Sequence, residues 1–338
     1  MPETDPKRSE ARSEAFSQGF TRRRFLASLG LLAGAGALAP LAGRLRPHSP
    51  GAVDATRKML GTWVRIVARH EDTARASRAV ERAFAEISRV DAQMSVHRAD
   101  SQLSRVNASA GMAPVGVDVA VLDVMGVALA AARTSGGVYD PTILPLMRTY
   151  GFYGAGSGGY PSDREIAAAE RLVDWQRVEL DRDRGTLGLA VAGAGIDLGS
   201  IGKGWAVDRA VAALRSEGIT SGLVDAGGNV YGLGTPGPGA PGWSVAVYHP
   251  VTRRPDRVFV LRDNAVATSA NYEQYRMLGE MRVGHLFDAR RGLPADGHLS
   301  ASVLARTGVE SDVMSTSAFL LGPDRFRWPG ALETHFLG

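Results

Sequence analysis

The sequence predicts a mixed α/β or α+β domain with a largely antiparallel sheet, and three observations carry that expectation. Stretches with strand-like alternation and stretches with helical periodicity follow one another along the chain. They do so without the regular strand–helix–strand rhythm of a parallel sheet. The 338 residues, 44% of them hydrophobic, supply enough apolar material for one large or two moderate domains.

Gly61-Thr-Trp-Val-Arg-Ile-Val-Ala-Arg-His70 alternates as a strand does. Val80, Phe84, Ile87, Val90 and Met94 then recur at steps of three and four, the spacing of one helix face. Asp118 is placed to cap a helix running to about Ser135, and Gly204 to Glu217 reads as a further helix stopped by Gly218. Trp243–Tyr248, Arg257–Leu261 and Ser300–Ala305 read as strands. Gly151–Gly159 and Gly232–Gly242 are glycine-rich and read as loops.

The charge has an address. Of 39 Lys+Arg and 35 Asp+Glu, residues 1–50 hold eight and four, leaving 31 of each in the rest of the chain. The high isoelectric point therefore gives no reason to expect a nucleic-acid partner. Within residues 1–50, Arg22-Arg23-Arg24-Phe25-Leu26 opens nineteen uncharged residues, Phe25 to Gly43, mostly Ala, Gly and Leu. A basic segment with paired arginines, a mildly apolar run and small residues at the exit is the order of a twin-arginine export signal. Pro40 follows the best small-residue site, Ala37-Leu38-Ala39, so an uncleaved membrane anchor is the competing expectation. The chain then divides into a signal or anchor (1–43), a linker (44–56) and one domain (57–338) in the periplasm or another extracytoplasmic compartment. Zero Cys excludes disulfides, thiolate metal sites and a Cys nucleophile.

Several motifs fail on context. Gly232-Leu-Gly-Thr-Pro-Gly237 and Gly154-Ala-Gly-Ser-Gly-Gly159 fit a dinucleotide-binding pattern, yet each meets a proline and opens no helix. The stretch ending Gly202-Lys203 is not a phosphate loop, since Asp197 and Gly204 stand at its key positions. No Gly-x-Ser-x-Gly elbow is present.

Others survive. Asp197-Leu-Gly-Ser200-Ile-Gly-Lys203-Gly sets small residues, one acid and one lysine before a helix, where backbone N–H groups and the helix field suit a phosphate. Only Lys7, Lys58 and Lys203 occur among the 39 basic residues, so Lys203 is a compact ammonium in a chain that writes its cations as arginine. Asp312, Ser315 and Thr316 share a helix face at i, i+3 and i+4. They fit either hard-oxygen ligation of Mg²⁺ or an N-cap carboxylate with Ser/Thr bonded to the preceding turn. His285 is the best-placed general base in the chain, with Asp288 as a possible partner.

Taken in order, Met94–Asn107, Gly137–Thr142 with Pro145-Leu146, Asp197–Arg209, Asp225–Asn229, Ala267–Ala270, His285–Gly292 and Asp312–Gly322 resemble the ApbE family of flavin transferases. The resemblance spans about Leu60 to Gly322. It implies a T-fold-like α/β architecture with an FAD cleft between two lobes. It also implies Mg²⁺-dependent transfer of FMN from FAD to a Thr or Ser hydroxyl of an acceptor protein, with AMP released. By the same resemblance, Ser200, Asp312, Ser315 and Thr316 hold the metal. Leu60, His97, Val138, Tyr139, Asp140, Asp197, Lys203 and Leu286 line the FAD site, and His285 and Asp197 are catalytic. The implied acceptor belongs to a membrane-associated redox system such as nitrous-oxide respiration. Ala270 and Ala289 stand where the family pattern has Gly and Pro, and Ala270 is expected to strain any turn needing positive φ.

Overall fold

The computed structural model describes residues 51–154, 159–272 and 274–338. Residues 1–50, with the expected export signal and most of the expected linker, lie outside the described residues.

The frame is a seven-stranded sheet, antiparallel at every pairing. Its strands are β1 (Ala52–Met59), β2 (Thr62–Arg69), β3 (Ser221–Ala226), β4 (Asn229–Leu233), β5 (Asn264–Ala270), β6 (Ser300–Ala305) and β7 (Glu333–Leu337), side by side in chain order. β1 begins inside the expected linker. Its Ala-Val-Asp-Ala-Thr-Arg-Lys-Met sequence is largely polar because it is an edge strand with only one paired neighbour.

Alternation along the strands sorts the two faces. Tyr231 and Ala265 enter the main core under the helices, whereas their neighbours Val230 and Val266 join Val245, Val247, Phe259 and Leu261 on the opposite face. That second cluster is covered by the hairpin Trp243–Tyr248/Pro255–Leu261. Gly232 belongs to β4 and not to a loop: it pairs with Leu223 and Asn264, and a Cβ there would come within 2.6 Å of the Leu261 Cβ, which the glycine admits.

Helix α1 (Thr73–Met94) is capped by Asp72, whose carboxylate accepts from the Arg75 N–H, and it buries Val80, Phe84, Ile87, Val90 and Met94 as the periodicity requires. Between residues 95 and 201 stand α2 (Gln102–Ala108), α3 (Val119–Thr134), α4 (Leu144–Thr149), α5 (Asp163–Glu170) and a small sheet of strands 115–116, 178–181 and 186–189. The chain returns through α6 (Gly202–Ser216), which packs on α1, and later through α7 (Gly308–Leu321), which packs on α6, β5 and β6. α7 starts from a capping box, Thr307 with Glu310. Thr307 therefore performs the N-cap role that the sequence also allowed to Asp312.

Among the described residues no helix is long and apolar enough to cross a membrane.

Candidate functional site

The site lies where the N-terminus of α6, the middle of α7 and the 137–142 loop meet one end of the large sheet. The β1–β2 turn marks that end: Leu60 and Gly61 both take positive φ (52° and 70°), the two-residue hairpin whose twist matches the flanking strands. Gly227 packs against Thr62 there, and Asn229 at the start of β4 faces Asp312.

Asp312 is 3% exposed. Its Oδ2 accepts the Gly204 N–H at 2.8 Å. Burial raises the pKa of this carboxyl, while the Lys203 charge, the Gly204 N–H and the Asn229 side chain favour its anion. One turn on, the hydroxyls form a directed chain. Ser315 donates to the Asp312 carbonyl at 2.9 Å, and Ser269 of β5 lies 2.9 Å from the Ser315 Oγ and 3.1 Å from the Thr316 Oγ1. Each hydroxyl has one proton, so Ser269 donates to Ser315 and Thr316 donates to Ser269. The Thr316 oxygen thus keeps its lone pairs for a further partner.

Asp197 is fixed from several sides. Its backbone N–H donates to the Pro141 carbonyl, and the Asn107 amide grips both backbone groups of Ile196. Its Oδ1 accepts the Gly199 N–H at 2.7 Å and its Oδ2 accepts the Tyr153 hydroxyl at 2.6 Å. The Tyr153 ring in turn lies 5.1 Å from that of His97. Tyr153 was not legible as a site residue, because it stands at the edge of a glycine-rich loop.

Tyr139 is buried, and the Ser200 hydroxyl lies 3.4 Å from its own. Its pKa rises through burial and through the negative charges of Asp312, Asp197 and Asp140, so three carboxylates act on one phenol. Asp140 anchors its loop: its oxygens accept from the Thr142 N–H and hydroxyl and from the Trp175 N–H. Val138 beside it is fully buried.

Lys203 lies on the Gly199 carbonyl at 3.3 Å. Its charge acts on both Asp312 and His285. Burial, moderated by a hydrogen bond to the Gln274 carbonyl, lowers the His285 pKa to about 4. A carbonyl can only accept, so Nδ1, 3.1 Å from the Gln274 oxygen, carries the proton and Nε2 presents its lone pair. The expected His285–Asp288 pairing does not form. Asp288 instead accepts from the Arg290 N–H and lies 3.5 Å from the Arg290 guanidinium, while the Gln274 carbonyl takes the Nδ1 proton of the histidine. The Leu286 N–H is held by Asn271. Ala270 completes strand β5 and has no positive φ, so the expected strain is absent.

Among the described residues no three His, Asp or Glu side chains form a metal cluster by themselves. A cation here would rest on the Asp312 carboxylate, hydroxyl oxygens, water and ligand phosphate, which is a hard-oxygen set.

Residues 60–332 match the family model described as the ApbE family. The chain is 29% identical over 283 residues to an FAD:protein FMN transferase of Treponema pallidum, covering 79% of this chain and 78% of that protein. It is 30% identical over 272 residues to one of Klebsiella pneumoniae, covering 79% and 82%. Among solved structures, the ApbE protein of Thermotoga maritima superposes with TM-score 0.74 at 28% identity, covering 80% of this chain and 87% of that one. The flavin transferase ApbE of Vibrio cholerae gives 0.73 at 27%, covering 81% and 88%. With the family model spanning the polar cluster and five of the seven strands of the sheet that carries it, the chain belongs to the ApbE family.

Proposed function

We propose that this protein transfers FMN from FAD to a Thr or Ser hydroxyl of an acceptor redox protein, releasing AMP, and that Mg²⁺ assists. The observation that carries the reading is geometric. Asp312 of α7 accepts the N–H of Gly204 beside Lys203, the Ser200 hydroxyl lies 3.4 Å from that of Tyr139, and Ser269 bridges Ser315 and Thr316. The Lys203 charge favours the Asp312 anion and disfavours a proton on His285, which is consistent with the histidine facing the same cluster.

Asp312 and Thr316, with Ser200 and Ser315 beside them, would hold the metal, which when bound supplies charge neutralisation to the pyrophosphate. Asp312 has one oxygen on Gly204 and Thr316 keeps its lone pairs, so the donor set fits. Lys203 opposes the phosphate charge. His285 Nε2 takes the proton of the acceptor hydroxyl as that oxygen bonds to the FMN phosphorus. The bond from that phosphorus to the bridging oxygen breaks, and the electron pair leaves with AMP. Asp197, pinned by Tyr153 and Gly199, and Leu60, His97, Val138, Tyr139, Asp140 and Leu286 shape the FAD cleft.

Export through the Arg22-Arg23 segment would place the enzyme beside a membrane-bound acceptor outside the cytoplasmic membrane, with the segment itself a possible anchor. Incubation with FAD, Mg²⁺ and an acceptor domain tests the reading. AMP release in step with covalently labelled acceptor is expected. Free FMN and AMP without acceptor would make the protein a pyrophosphatase, and intact FAD after long incubation would make it a binding module.

A further inference from the structure

Helices α6 and α7 carry the same short pattern, Gly204-Trp-Ala-Val-Asp208 and Gly308-Val-Glu-Ser-Asp312. In each, the glycine and the aspartate are four residues apart and share one helix face. The two faces meet. A Cβ on Gly204 would lie 2.1 Å from the Gly308 carbonyl oxygen, and one on Gly308 would lie 2.5 Å from that of Gly204. The helices cross backbone to backbone, glycine on glycine. Across this contact each aspartate serves the first turn of the other helix. Asp312 of α7 accepts the Gly204 N–H at 2.8 Å, and Asp208 of α6 accepts the Gly308 N–H at 2.6 Å and the Val309 N–H at 2.9 Å. These are helix N-terminal N–H groups without intrahelical partners, and a carboxylate also favours the local helix field.

The two halves differ in one respect. Asp208 engages both carboxylate oxygens with backbone N–H groups, while Asp312 engages one backbone N–H through Oδ2 and is otherwise met by the Asn229 side chain. We propose that the two Gly-x-x-x-Asp segments form one self-complementary clasp. In it, Asp208 is the positioning residue that sets the depth of α7 and so holds the Asp312 carboxylate ready for a cation. The metal arm of this inference rests on the functional reading above; the clasp itself does not.

The clasp makes a prediction that a local cap does not. Asp208→Asn replaces one acceptor with a donor that faces an N–H, and the hydrogen bonds it alters run to α7 alone. Because the halves share one helix contact, the loss should reach Gly204, which Asp208 does not bond. Amide hydrogen exchange on Asp208→Asn, read at residues 202–206 and 308–309, should speed at least tenfold at both places. Mn²⁺ binding to the same protein, followed by electron paramagnetic resonance, should weaken at least tenfold. Phe259→Leu, in the cluster on the far face of the sheet, is the control for general destabilisation and should leave Mn²⁺ affinity within twofold of wild type. Faster exchange confined to 308–309, with unchanged Mn²⁺ affinity, overturns the proposal. Faster exchange at both places in a protein whose wild type binds no Mn²⁺ upholds the clasp and removes the metal reading instead.

Discussion

The Tyr153 hydroxyl donates to Asp197 Oδ2 at 2.6 Å, so this carboxylate is held by a side chain from the residues that follow α4. A hydrogen bond to a charged acceptor contributes about 1.5–3 kcal/mol. Tyr153→Phe should weaken FAD binding roughly tenfold or more while the protein melts within a few degrees of wild type; flavin fluorescence titration checks it. Unchanged affinity would show that Asp197 needs no such support.

The pH response of stability should have opposing parts. The His285 pKa falls to about 4 in the folded state. The unfolded histidine binds its proton first, so the contribution of the neutral form is complete above about pH 6.5 and is lost as pH falls through 4. Asp208 and Asp225 go the other way. Burial raises each to about 6 against their N–H bonds, so their contribution is present below about pH 4 and is lost as pH rises through 6. His285→Gln should therefore move the acid-unfolding midpoint to lower pH, measured by circular dichroism. A midpoint that stays in place would contradict the neutral imidazole.

Gly204→Ala tests the helix crossing. The new Cβ would meet the Gly308 carbonyl and the Asp312 Cβ at 2.1 and 2.7 Å, so the helices must separate. Overpacking of this kind costs about 1–3 kcal/mol, and here the added atom meets rigid backbone, which favours the upper end. Urea unfolding should show the loss, together with a raised Mg²⁺ requirement.

Ser269→Ala removes the hydroxyl that links Ser315 and Thr316. It should raise the Mg²⁺ concentration for half-maximal activity several-fold with little change in kcat at saturation. A fall in kcat alone would place Ser269 outside the metal's surroundings.

Much of this was legible in the residues, and the exceptions have physical causes. Ser300–Ala305 and Trp243–Tyr248 coincide with their predicted spans, because turn or polar residues bound their apolar alternation. The helix from Gly202 is seen because glycines precede an apolar 3.6 repeat. The edge strand Ala52–Met59 is missed because it has little apolar signal, and the small hairpin Tyr275–Leu278/Met281–Gly284 because its strands are only four residues long. Within the candidate site, the motifs single out Lys203, Asp312 and His285 as residue types, and their roles belong to the proposal. Side-chain direction is not in the spacing, which is why Asp288 stood as the partner of His285 when the Gln274 carbonyl fills that place. The repeated Gly-x-x-x-Asp pattern was visible in the sequence, yet only the crossing of the two helices gives it meaning.

The measurement that bears most directly on the central claim is the intact mass of an acceptor domain after incubation with FAD, Mg²⁺ and this protein. One added FMN per acceptor Thr or Ser is expected with wild type, and none with Asp312→Ala or His285→Ala. An acceptor mass that never changes with wild type, or changes equally with both variants, would contradict the account.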